Sequence, residues 1–278
     1  MAPYAPMGDA PTAVAADKRA SRRFGQLLPF IVVLGAVIRV AYAVGWRIDR
    51  GLQYDGPVYR NRAAFLLSGR SFQNPDAWTF HHIETQGAIH PPVNTVLLAL
   101  ARQLGIHSDG GLQLWGCLIG TITIVVVALL GRVVAGPRTG LIAGFLAAVH
   151  PALWSYDPTA MAESPGQLLT AVTLLLAYRF WSDPRASRAA WLGGAAALAA
   201  LTRSELALLI PILVISLCVA APGTRRQTAG RLGAALLWVA MVLAPWVGWN
   251  LVRFEHPVAL ASGLDVIAGR SGRALRFT

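Results

Sequence analysis

The sequence has little charge and few acidic residues. Charged residues make up 13% of the chain and hydrophobic residues 55%, and 13 acids stand against 24 lysines and arginines. Soluble globular domains carry about 25% charged residues. This shortage argues against an ordinary soluble domain and predicts a single all-α, polytopic membrane domain.

Cysteine is also scarce, and several familiar motifs are missing. Cys117 and Cys218 both lie in apolar runs, which indicates small buried side chains rather than a disulfide or zinc framework. The sequence has no P-loop, no Gly-x-Gly-x-x-Gly after a strand, no Asp-x-Asp pair and no Gly-x-Ser-x-Gly. A cytosolic site for ATP or a nucleotide sugar is therefore not supported.

Long apolar runs dominate what is present. Seven of them approach the roughly 20 residues that a membrane span needs. They are 24–46, 112–134, 138–155, 160–181, 188–203, 204–221 and 232–250. The shorter run 91–105 opens with two prolines and carries an apolar stripe, which predicts a helix lying along the membrane surface. We expect a disordered cytoplasmic tail at 1–23, a transmembrane domain at 24–263 and an atypical tail at 264–278.

The basic excess indicates topology. The formal net charge is +11, but the arginines are spread between apolar runs and form no basic groove, so no nucleic-acid partner is expected. If 91–105 does not cross, the loops on the N-terminal side hold twelve basic residues and three acids. The opposite loops hold eleven arginines and ten acids. The positive-inside rule then predicts a cytoplasmic N-terminus and an outer loop at 47–111, among membrane lipids.

The outer loop contains a second surface helix, predicted at 57–68. Pro57 suits its first turn and Gly69 suits its end. Asp55 comes just before this helix. It either caps the helix, which is a common role, or presents a functional carboxylate at the membrane edge.

Other ionisable residues allow similar alternatives. Arg39, in the outer half of the first span, either snorkels to the interface or faces a cavity where it holds an anion such as a lipid phosphate. Arg203 has the same choice, or it pairs with Glu205. Glu163 follows Asp157 after an outer turn and faces either a cavity or the interface. We expect Arg39 to share a cavity with Arg203 and not to face lipid.

A metal site has weak support. His81, His82 and Glu84 lie too close together in sequence to converge easily, and their spacing to His90 is not diagnostic. We therefore expect no cofactor, and a divalent cation has only weak support.

Several short motifs, in their order, resemble the GT-C membrane glycosyltransferases, nearest the group of protein O-mannosyltransferases and lipid A aminoarabinose transferases. The motifs are "YDGPVYRNRAAFLLSG", "HPPVN", "AESPGQLL", "LAALTRSE" and "PWVGWN", within about residues 25–263. The resemblance implies seven spans and two surface helices in the first outer loop, which matches the layout predicted from length and charge.

The resemblance also implies a function. Such enzymes transfer a sugar, with inversion, from a polyprenyl-phosphate donor to a lipid, glycan or protein acceptor at the outer face of a membrane, here a bacterial plasma membrane. Asp55 matches the catalytic base. The expected substrate-binding residues are Arg39, Tyr59, His90, Glu163 and Arg203.

The chain also departs from the group. Relatives often have a second acid where this chain has Gly56, and Arg-Asn where it has Trp249 and Asn250. Relatives continue past the position where this chain ends, at Thr278. A truncated, non-catalytic membrane partner is therefore an alternative function, and a lipid or solute transporter is another, although no inverted repeat supports it.

Overall fold

The structure is a computed structural model that describes residues 10–70, 72–73 and 90–253, and every element of secondary structure in that part is a helix. The α-helices are α1 (Ala10–Tyr42), α2 (Gly56–Leu67), α3 (Pro92–Gln103), α4 (Asp109–Ala135), α5 (Pro137–Val149), α6 (Pro151–Trp154), α7 (Glu163–Ser182), α8 (Ala186–Ala200), α9 (Ser216–Ala220) and α10 (Arg225–Arg253). Short π and 3₁₀ turns extend α1 as far as Arg50 and connect α8 to α9. The predicted all-α class is confirmed.

Among the described residues, three helical stretches are long and apolar enough to cross a membrane. They are Arg19–Arg50, Asp109–Ala135 and Arg225–Val252. Each contains one of the predicted spans. The other four predicted spans coincide with α5, α7, α8 and the helical stretch Ser204–Ala220, and their crossing stays a prediction.

The first and third predicted spans differ from the observed helices. α1 begins at Ala10, so residues 10–23 of the predicted disordered tail are helical, as the high helix propensity of their alanines favours. The run 138–155 is divided between α5 and α6, because His150 precedes Pro151 and adopts an extended conformation.

Small residues bring the long helices together. α4 packs against α1, α5 and α7, and α8 packs against α7 and α10. At the last contact, a Cβ added to Gly193 would stand 2.4 Å from the carbonyl oxygen of Ala235. Such close backbone approach is typical of helix packing within membranes.

Residues from two of the segments predicted to be cytoplasmic, 1–23 and 132–138, lie at the same end of the bundle. Arg132, near the end of α4, donates a hydrogen bond to Ser21 of α1 at 3.4 Å. The loop alternation on which the charge argument depends is consistent with this contact. The side of the membrane on which this end lies stays a prediction.

The two predicted surface helices are present as α2 and α3. They pack against each other, and their buried side chains form one cluster with Leu112 of α4 and with Ala160 and Ala162, which precede α7. Val96 and Leu100 of α3, and Leu104 directly after it, form an exposed apolar stripe, as expected for a helix that lies on lipid. This layer carries the candidate site.

Candidate active site

Asp55 lies directly before α2, where its side chain is 53% exposed. Although Asp55 occupies the N-cap position, its carboxylate makes no capping hydrogen bond. An N-cap side chain normally accepts from the second or third backbone N–H of the helix, and the second position here is Pro57, which has none. The capping alternative therefore lacks its defining contact, and the carboxylate is left without a backbone N–H partner at the helix start.

Tyr59 and His90 stand beside Asp55. Tyr59 lies one turn along α2, and its buried ring packs against the imidazole of His90 with 4.8 Å between ring centroids. His90 Nε2 lies 3.9 Å from Asp55 Oδ2. Arg62 fixes the backbone of His90, because its Nη1 donates to the His90 carbonyl at 3.1 Å.

Arg203 joins two more carboxylates. Its Nη1 is paired with Glu163, the first residue of α7, and its Nε donates to Glu205 Oε1 at 2.5 Å. Arg203 follows α8, and Glu205 lies in the 3₁₀ turn Ser204–Leu208. The predicted pairing of Arg203 with Glu205 is thus present, with Glu163 as an additional partner.

These two groups line one polar cavity of about 210 Å³. Its lining residues are Asp55, Tyr59, His90, Pro91, Met161, Ala162, Glu163, Thr202, Arg203, Ser204 and Glu205. The structure therefore brings together Asp55 and four of the residues predicted to bind substrate. Met161, Thr202 and Ser204 were not predicted to line a site, and Glu205 was considered only as a neighbour of Arg203. Glu205 and Ser204 directly follow Arg203 in the "TRSE" motif.

Arg39 requires a correction. Its guanidinium is 1% exposed and donates to Asp157 Oδ2 at 2.7 Å and to three backbone carbonyls at 3.1–3.3 Å. It does not line the cavity that contains Arg203, so the predicted shared cavity is wrong. The reason is that Asp157, which lies 118 residues away in sequence, is buried next to Arg39 and forms the ion pair with its guanidinium.

Burial sets the protonation of the neighbours of Asp55. Burial, and then the nearby Arg62 cation, lower the pKa of His90 below its usual value, although Asp55 and Glu163 act in the opposite direction. Burial raises the pKa of Tyr59 well above its usual range. His90 is therefore favoured as neutral imidazole and Tyr59 as phenol, so both offer neutral hydrogen-bonding groups beside a carboxylate.

The other side of the cavity holds a coupled ion pair. Partial burial works against both charges, but their mutual hydrogen bond and attraction raise the pKa of Arg203 and lower the pKa of Glu205. Within the described residues, no cluster of three His, Cys, Asp or Glu side chains could hold a metal ion. His81, His82 and Glu84 lie outside the described residues, so the weak expectation of a divalent cation stays untested.

A second, apolar cavity adjoins the polar one. It has a volume of about 400 Å³ and is lined by Leu66, Phe72, Pro92, Leu201, Val242, Pro245, Trp246 and Trp249. Pro92 and Leu201 directly follow or precede Pro91 and Thr202, which line the polar cavity. The start of α3 and the end of α8 therefore contribute to both cavities. The "PWVGWN" motif contained both tryptophans, but nothing in its pattern showed that they line a cavity.

Comparison with known proteins agrees with this architecture. Residues 89–249 match the family described as dolichyl-phosphate-mannose-protein mannosyltransferase. The chain is similar to the oligosaccharyltransferase of Archaeoglobus fulgidus in its apo form, at 16% identity and TM-score 0.53. It is also similar to that enzyme tethered to an acceptor peptide containing the NVT sequon, at 18% identity and TM-score 0.52.

Each structural match covers 87% of this chain and 37% of the oligosaccharyltransferase, so the chain spans 37% of the length of these relatives. None of the curated proteins compared with it matches. The resemblance seen in the sequence is confirmed in family and fold. Asp55 and Tyr59 lie before the matched range 89–249, so their roles rest on the outer-loop motif and the geometry described above.

Proposed function

The chain belongs to the dolichyl-phosphate-mannose-protein mannosyltransferase family, and from that premise we propose that it is a membrane glycosyltransferase that uses a polyprenyl-phosphate sugar. The observation that carries this proposal is the uncapped Asp55 carboxylate in a polar cavity beside an apolar one. The sugar and phosphate would occupy the polar cavity, at the outer membrane face.

The donor class is supported by the two neighbouring cavities. A polyprenyl-phosphate sugar joins a polar head to a long apolar chain, and it resides in the bilayer. The polar cavity contains hydrogen-bonding groups and charges, whereas Phe72, Trp246 and Trp249 give the adjoining one aromatic walls. A donor spanning both would place its phosphate near Pro91–Pro92 and Leu201–Thr202, where the linings of the two cavities are adjacent in sequence.

The chemistry requires a base and a cation. Asp55 accepts the proton of the acceptor hydroxyl, and the acceptor oxygen forms a bond to the anomeric carbon of the sugar. The bond from that carbon to the phosphate oxygen breaks, and its electron pair leaves with the polyprenyl phosphate. Attack from the face opposite the phosphate inverts the configuration. Arg203 offsets the negative charge that develops on the leaving phosphate.

Tyr59, His90 and Glu163 would bind the sugar and acceptor. The phenol and neutral imidazole offer donors and acceptors to sugar hydroxyls, and Glu163 holds the Arg203 guanidinium in place. The acceptor is a lipid, a glycan or a protein. A similar oligosaccharyltransferase was solved with an acceptor peptide, which makes a peptide one candidate to assay.

The test is sugar transfer from a radiolabelled polyprenyl-phosphate sugar by membranes containing the chain. Asp55→Asn keeps the shape of the side chain and removes the base, so we expect transfer to fall by roughly 10²-fold or more at equal expression. Asp109→Asn is the matched control. Asp109 is another partly exposed acid, paired with Arg60 at 2.9 Å, and it does not line the cavity.

The outcomes separate the alternatives. If the wild type transfers sugar and the Asp55→Asn variant transfers it at the same rate, Asp55 is not the catalytic base. If wild-type membranes transferred no sugar but sealed vesicles took up lipid or solute, the transporter alternative would replace the enzyme. Failure of both assays would favour a non-catalytic membrane partner.

A further inference from the structure

A buried ion pair lies behind the candidate site. All three guanidinium nitrogens of Arg39 donate hydrogen bonds, to Asp157 and to the carbonyls of Gly35, Ala147 and Ala148. Asp157 accepts a further hydrogen bond at its other carboxylate oxygen, from Ser164 Oγ at 2.6 Å. Burying two charges is costly even when they pair, so such a pair is weak evidence for stability by itself.

Close packing against α4 restricts where the Asp157 side chain and backbone can lie. A Cβ added to Gly120 of α4 would stand 1.9 Å from Asp157 Oδ2, and one added to Gly116 would stand 2.0 Å from the Asp157 backbone carbonyl oxygen. The carboxylate is therefore fitted against a glycine face of α4 while Arg39 holds it from α1. The start of the turn 157–163 is fixed by these contacts.

The same turn reaches the elements that carry the site. A Cβ added to Gly56, next to Asp55, would stand 2.4 Å from the carbonyl oxygen of Thr159. Asn94 of α3 donates to the carbonyl of Ala160 at 3.1 Å. The turn then supplies Met161, Ala162 and Glu163 to the wall of the cavity. One short segment thus contacts α2, contacts α3 and leads into α7.

We infer that Arg39 and Asp157 are positioning residues that fix the separation between Asp55 and the Glu163–Arg203 pair. This inference rests on the proposed function, because the separation matters only if both act on one substrate. A misplacement of about 1 Å can lower a rate by 10²-fold. The pair acts through the turn 157–163 and touches neither the cavity nor its contents.

The kinetic test compares this pair with another buried arginine. Arg231 of α10 is also buried, and it donates to the carbonyls of Ala221 and Pro222, away from the cavity. We expect Asp157→Asn to lower kcat by roughly tenfold or more at temperatures where the protein is folded. We expect Arg231→Met to lower the unfolding temperature without lowering kcat.

Two further variants test geometry against charge. Gly120→Ala keeps every charge but pushes on the Asp157 carboxylate, so it should lower kcat in the same direction as Asp157→Asn. Arg39→Lys keeps the ion pair but not the fork that reaches the carbonyls of Ala147 and Ala148, so its kcat should lie between those of the wild type and Arg39→Met. Equal kcat in all four variants and Arg231→Met would overturn the inference.

A readout without turnover keeps this test separate from the proposed function. Met161 lines the cavity, while native Cys117 and Cys218 are buried, so Met161→Cys provides an accessible thiol. We expect Asp157→Asn and Arg39→Met to change the rate at which a membrane-impermeant maleimide labels Met161→Cys by at least threefold, and Arg231→Met to leave it unchanged. If labelling changes this way in a protein that transfers no sugar, the proposed function fails and the positioning of the turn stands. Equal labelling in all variants would refute the positioning.

Discussion

Two arginines in this protein meet carboxylates in opposite surroundings. Arg39 is 1% exposed, and all three guanidinium nitrogens are bonded to the protein. Arg203 is 38% exposed and holds Glu163 and Glu205 at the wall of an open cavity. The same pairing of residue types therefore serves two purposes. The buried pair holds backbone segments together, and for the accessible one we propose the role of offsetting charge on the leaving phosphate.

Breaking the buried pair should have the largest effect. Arg39→Met leaves the Asp157 carboxylate buried without its cation, and losing one partner of a buried pair costs about 3–5 kcal/mol. Thermal unfolding in detergent measures the loss. The double variant Arg39→Met, Asp157→Leu removes both charges and should recover much of it. If Arg39→Met were as stable as the wild type, the buried pair would contribute no more to stability than the accessible pair of Arg203.

Breaking the accessible pair should separate stability from activity. Exposed ion pairs contribute about 0–1 kcal/mol, so Arg203→Gln should change the unfolding temperature little. Transfer should nevertheless fall by roughly 10²-fold, the usual effect of losing one group that stabilises developing charge. Arg203→Lys keeps a charge and should recover part of the rate. A variant that is unstable and fully active when folded would reverse the assigned roles.

The comparison can be sharpened at the apolar cavity. Trp246→Ala removes an aromatic wall that would contact the donor chain throughout the reaction. We expect the KM for a long-chain donor to rise by roughly tenfold with little change in kcat, the signature of lost uniform binding. Trp181→Ala is the control, because Trp181 is exposed near the opposite end of α7. A fall in kcat alone would contradict the assignment of this cavity to the lipid chain.

His90 should give the smallest effect, and it has a definite sign. Its folded-state pKa is lowered by burial, so below its usual value near 6.5 the unfolded chain binds more protons at this site. Stability should therefore fall as pH decreases below about 6.5, and it should level off once the folded state is also protonated. His90→Gln should flatten that part of the profile. The control His107→Gln changes an exposed histidine and should leave the pH profile of stability unchanged. If His90→Gln made the profile steeper, His90 would not be the source of the acid-induced loss.

Much of the helical layout could be predicted from local pattern. Proline at the start and glycine after the end marked α2, and two prolines marked the start of α3. The beginning of α1 could not be placed, because an alanine-rich sequence suits a helix as well as a tail. The division at His150 was missed, although the proline that follows it was a visible signal.

The site was predictable in membership more than in arrangement. Motif order gave Asp55, Tyr59, His90, Glu163 and Arg203, which line one cavity. The partner of Arg39 depends on tertiary packing between distant segments. From the sequence alone, one could expect only that an arginine within a span pairs with some acid. Asp157 satisfied that rule, and its proximity to a glycine face of α4 is visible only in three dimensions. The apolar cavity was not predicted, because tryptophans near the end of a span are usually interpreted as residues that anchor the helix at the membrane–water interface.

Gly56 has a consequence for how this protein can diverge. Related enzymes often carry a second acid at this position, but here any side chain would meet the Thr159 carbonyl. An acidic side chain and a turn packed this closely on α2 exclude each other. We therefore expect Gly56→Glu to displace the turn and abolish transfer, and not to add a ligand to the site. Replacing Gly56 with an acid requires the start of α2 and the turn 157–163 to change together. No single substitution at Gly56 can therefore convert one arrangement into the other.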